Sequence, residues 1–121
     1  MIVPLFTCTA TNIPLAQIGA KLIFSDVGKN TLNVDVDDLI KLTTIRTKAI
    51  VVVHYAGQPL DMAKLWKYCK ENNIAFIDYY SKMTDWGGGL KTPQYTSKYD
   101  LVHPNKKGYE KMEEILLNIL K

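Results

Sequence analysis

Asp100 and His103 have the clearest capacity for chemistry, in the run Asp100-Leu101-Val102-His103-Pro104-Asn105 with Gly108-Tyr109 behind it. An acid close to a histidine can hold the imidazole in one tautomer, and the imidazole can then take a proton from a hydroxyl or a water. A covalent route also needs a nucleophile. The chain contains no Gly-Asp-Ser turn. Ser25, followed by Asp26, is the candidate substitute, because it is expected at the carboxyl end of a strand, where parallel-sheet folds place their sites. The commoner role for such a serine is in a strand-exit turn. His54 and Asp78 are expected at the same edge. Histidines and aspartates gathered there could hold a metal, but their spacing matches no metal motif. A strand-end histidine more often hydrogen-bonds a loop. No metal and no cofactor are therefore expected.

The elements that must position these residues alternate between apolar runs and amphipathic stretches. Met1 to Phe6 suits a buried strand, with Pro4 arguing for weak pairing. A short helix is expected over Ile13 to Ile18, capped by Thr11 or Asn12, with Pro14 in its first turn and Gly19 as its stop. Lys21 to Val27 reads as the second strand. Asp35 or Asp37 opens a helix whose apolar stripe is Val36, Leu39, Ile40 and Leu42. Thr47 to Tyr55 is the best strand, since Ala49-Ile50-Val51-Val52-Val53 is continuous and β-branched. Asp61 caps a helix with Met62, Leu65, Trp66 and Cys69 on its apolar face, ending near Asn72-Asn73. Ile74 to Tyr79 reads as the fourth strand and Ser81 to Ser97 as a loop. The last helix begins after Asn105, with Tyr109, Met112, Ile115, Leu116, Ile119 and Leu120 at helical spacing.

This order predicts one α/β domain over residues 1–121: a three-layer sandwich on a small parallel sheet of about four strands, closed by a C-terminal helix. With 121 residues and a net charge of +3, the chain has room for one core and lacks the basic footprint of a nucleic-acid binder. No apolar run is long enough to span a bilayer, and no signal peptide is expected, so a cytoplasmic location is the expectation. Cys8 and Cys69 read as reduced, mostly buried thiols. Gly87-Gly88-Gly89 lies in a loop and is not a phosphate cradle. Lys106-Lys107 reads as a solvated face, Trp66 as helix packing and Trp86 as a loop residue covering an edge.

Two families are resembled. Residues 1 to about 65 resemble the pyridoxal-phosphate-dependent sugar aminotransferases of the DegT/DnrJ type. The carriers are Ile2-Val3-Pro4 with Phe6-Thr7, Gly19-Ala20-Lys21, Phe24 to Val27, Asp35 and Asp38, and Arg46-Thr47-Lys48-Ala49-Ile50. Val53-His54-Tyr55-Ala56-Gly57-Gln58-Pro59 with Asp61-Met62 completes the set. Residues from about 66 to 121 resemble the C-terminal end of SGNH (GDSL-like) hydrolases. There the carriers are Asn73-Ile74, Ile77-Asp78-Tyr79-Tyr80-Ser81, Gly88-Gly89-Leu90, and Asp100 to Asn105 with Gly108-Tyr109. Leu101 departs from the glycine usual after the acid. Together the resemblances imply a chimera, engineered or recombined, with strands in the spatial order 2-1-3-4 of a flavodoxin-like or Rossmann-like sheet.

The hydrolase resemblance implies that Asp100 and His103 are a remnant acid–base pair whose nucleophile block is missing. The aminotransferase resemblance implies a Schiff-base lysine and a phosphate-binding turn, both outside the matching segment, and an acid for the pyridine nitrogen. In ungapped register Tyr79 stands at the position of that acid, and Asp78 is one residue early. No intact enzymatic activity is therefore expected. The alternatives are a weak ester hydrolase using Asp100 and His103, with water or Ser25, and a self-associating module. A homodimer would form through an exposed sheet edge or apolar patch.

Overall fold

The computed structural model describes residues 1–101 and 103–120, and the chain divides into two compact units, Met1–Asn72 and Asn73–Lys121. In the first unit, strand β1 (Ile2–Pro4) runs parallel to β2 (Ile23–Ser25), with Ile2 opposite Ile23, Val3 opposite Phe24 and Pro4 opposite Ser25. Ile2 and Val3 are almost fully buried, as an apolar run in a central strand should be.

The expected third strand is reduced to one parallel bridge between Ile50 and Ile2. The Ile2 N–H donates to the Ala49 carbonyl at 3.0 Å, and the Val51 N–H donates to the Ile2 carbonyl at 2.9 Å. In a parallel ladder the next β1 residue facing that side is Pro4, which has no N–H to donate. The Pro4 carbonyl instead accepts from Asn12 Nδ2 at 3.0 Å. Both bonds that would lengthen the ladder toward Val53 are thus missing or replaced. The order 2-1-3 survives as β2, β1 and the bridge at Ile50.

Helix α1 spans Thr9–Gln17, so it starts earlier than the expected Ile13, and Pro14 lies inside it rather than in its first turn. Its end is local chemistry. Gly19 takes φ +79°, its N–H donates to Ala16 O, and the Ala20 N–H donates to Leu15 O, the paired bonds of a Schellman cap. Helix α2 (Val36–Leu42) is capped by Asp35, whose Oδ1 accepts from the Asp37 and Asp38 N–H groups at 2.8 and 3.2 Å. After a short 3-10 turn at Tyr55–Gly57, helix α3 (Met62–Glu71) is capped by Asp61, which accepts from the Lys64 N–H at 3.0 Å. Leu39, Leu60, Leu65 and Cys69 are buried in this unit.

In the second unit the expected fourth strand does not form. Asn73 takes φ +53°, Phe76 is 39% exposed, and Asp78 turns the chain into helix α4 (Tyr79–Met83). Asp78 Oδ1 accepts from the Ser81 N–H at 3.0 Å, so a residue expected within the fourth strand caps a helix instead. The expected four-strand sheet is therefore a two-stranded parallel sheet with one bridge, and the described residues of the second unit contribute no strand. Helix α5 (Lys106–Leu120) lays Met112, Ile115 and Ile119 on a core of Met83 and Tyr95, with Ile77, Tyr79 and Leu90 around it. No helix among the described residues is long and apolar enough to cross a membrane.

Candidate functional site

Asp100 and His103 meet because they are three residues apart in a tight loop. An isolated antiparallel bridge, Thr96 to Pro104, closes that loop, and the Ser97 N–H donates to the His103 carbonyl at 3.3 Å. His103 Nδ1 pairs with Asp100 Oδ2, and the His103 backbone N–H donates to Asp100 Oδ1 at 3.2 Å. The carboxylate thus grips both the ring and the backbone of the histidine. Both side chains face solvent, 77% exposed for His103 and 44% for Asp100, so water screens their attraction. With Nδ1 turned to the carboxylate, the other ring nitrogen is the one that could exchange a proton with a ligand.

Asn105, just beyond the pair, does more structural work than its sequence position suggested. Its Oδ1 accepts from the Gly108 N–H at 3.0 Å, capping α5. Its Nδ2 donates to the carbonyls of Thr96, Gln94 and Pro93 at 2.7, 3.2 and 3.4 Å, and its backbone N–H donates to Tyr95 O at 2.8 Å. Gly108 is required here by close approach. A Cβ at that position would stand 2.6 Å from Tyr95 O and 2.9 Å from Pro104 Cβ.

Ser25 belongs to the first unit and Asp100 and His103 to the second. The Ser25 side chain is completely buried, and its hydroxyl donates to Asp38 Oδ2 at 3.1 Å. The same oxygen accepts from the Asp26 N–H at 3.2 Å, so Asp38 ties the first turn of α2 to the end of β2. Reading the sequence for nucleophiles missed this role of Asp38. The available signal was an acid three residues after the cap Asp35, a position that turns back toward the chain entering the helix. His54 is likewise engaged: its Nδ1 accepts from the Leu60 N–H at 3.2 Å, bracing the turn that follows Tyr55.

Asp78 is spent on its helix cap. The Ser81 side chain and backbone N–H, with Lys82 nearby, hold its carboxyl below the usual carboxylate range. Tyr79, where an acid for a pyridine nitrogen would fall, packs against the cluster of Met83, Tyr95 and Ile115. Neither position therefore offers a free carboxylate to a pyridine nitrogen: the nearest acid is a helix cap and the matching position is a half-buried tyrosine. Among the described residues no group of three or more His, Cys, Asp or Glu side chains is arranged to hold a metal ion. The described residues include two open hollows. One, of about 340 Å³, lies in the second unit between Tyr79, Tyr80, Met83, Leu90 and Met112. The other, of about 360 Å³, lies in the first unit beside Asn33, Asp35, Asp37, Asp61 and Lys64. The carboxylates of the second hollow are already in use, as two helix caps and the Asp37–Lys64 ion pair.

Comparison with known proteins places this framework. The DegT/DnrJ/EryC1/StrS aminotransferase family matches residues 1–79, past the roughly 65 residues whose motifs carry the resemblance. The chain is 31% identical over 78 residues to a dTDP-4-dehydro-2,3,6-trideoxy-D-glucose 4-aminotransferase of Saccharopolyspora spinosa, covering 64% of this chain and 20% of that protein. It is 36% identical over 78 residues to a GDP-4-keto-6-deoxy-D-mannose 3-dehydratase of Yersinia pseudotuberculosis, with the same two coverages. The crystal structure of the sugar aminotransferase CalS13 from Micromonospora echinospora superposes with a TM-score of 0.54 at 35% identity, over 58% of this chain and 19% of that one. The chain spans about a fifth of the length of the curated relatives it matches. Through residues 1–79, this chain belongs to the DegT/DnrJ/EryC1/StrS aminotransferase family.

Proposed function

We propose that this chain is a non-catalytic α/β domain of aminotransferase parentage, joined to a C-terminal segment of SGNH hydrolase type. The observation that carries the reading is the engagement of Ser25, whose buried hydroxyl is committed to Asp38. His54 and Asp78 have comparable commitments, to the Leu60 N–H and to the start of α4. A hydroxyl that is buried and hydrogen-bonded to a carboxylate lacks the exposed approach that acyl transfer needs. The SGNH parentage is supported by the Asp100–His103 pair set directly before a capped amphipathic helix. The test is incubation of the purified chain with small activated esters and, separately, with pyridoxal phosphate. No ester turnover and no stoichiometric imine absorption band are expected. Turnover that disappears in His103→Ala, or a stable one-to-one imine, would overturn the reading.

A second reading, weak ester hydrolysis, is favoured by the formed and exposed Asp100–His103 pair. In that reading His103 takes a proton from a water attacking the ester carbonyl and returns it to the departing alcohol, while Asp100 steadies the imidazolium. Equal ester hydrolysis by the wild-type chain and His103→Ala eliminates this route.

A further inference from the structure

We draw no further inference here: the strongest candidate, the open outer edge of β2 with its exposed Ile23 and Phe24 in the first unit, carries nothing because no feature of the structure shows what covers it.

Discussion

Replacing Asn105 with alanine should loosen the start of α5 more than an ordinary cap deletion does. Two losses combine. Removing the bond from the Gly108 N–H to Oδ1 deletes a helix N-cap, worth about 1 kcal/mol. Removing Nδ2 takes the donor from the Thr96 carbonyl, bonded at 2.7 Å on a residue only 2% exposed, at a cost of about 1–3 kcal/mol for the polar group left short of a partner. The sum, about 2–4 kcal/mol, corresponds to an opening equilibrium raised roughly 30- to 1,000-fold. Hydrogen exchange of the α5 amides by mass spectrometry reads this directly and separates it from changes in the first unit. Asn105→Ser keeps a capping oxygen without the amide donor and should fall between wild type and alanine. Asn105→Asp keeps the cap and adds a favourable charge at a helix N-terminus. It also turns a carboxylate toward the carbonyls of Pro93, Gln94 and Thr96, so it should not restore wild-type protection. Unchanged exchange in the alanine variant, or full protection in the aspartate variant, would refute the view that the amide fan anchors this helix.

Three further outcomes follow from the same geometry. Gly108→Ala should lower the urea midpoint, because overlap with Tyr95 O and Pro104 Cβ outweighs the roughly 1 kcal/mol that alanine gains over glycine inside a helix; an unchanged or higher midpoint contradicts the close approach. Cys8 is exposed, whereas Cys69 is buried and its thiol is pushed up by burial. Ellman's reagent should therefore modify Cys8 quickly and Cys69 only on unfolding, and equal rates for both would count against the packing of α3. The depressed Asp78 carboxyl contributes stability above its unfolded pKa of about 3.9, and that contribution is lost as pH falls through the lower folded value. The α4 cap should hold at neutral pH and release only as pH falls past the ordinary aspartate value toward the lower folded one. A side-chain carboxyl NMR titration with a midpoint at or above the ordinary aspartate value would disprove this.

Local bonds account for what was legible in the chain alone. Asp35, Asp61 and Gly19 act where their types and positions place them, because caps and Schellman turns close within a few residues and need no distant partner. Asp100 and His103 pair for the same reason, being three residues apart in one loop. Tertiary structure decided the rest. The apolar run from Ala49 to Val53 has the composition of a central strand, yet its pairing depends on what β1 can offer. The absent N–H of Pro4 and the carbonyl taken by Asn12 leave only the bridge at Ile50. Ile74 to Tyr79 has strand composition too, but composition supplies no paired neighbour, and Asp78 finds its partner one helical turn ahead instead. Ser25 looked available because its sequence places it at a strand end; Asp38, thirteen residues away, arrives only when α2 folds back and buries the hydroxyl. Residue type and spacing determine bonds made within a turn, whereas a ladder bond or a buried hydroxyl depends on a distant segment arriving with a free group to match.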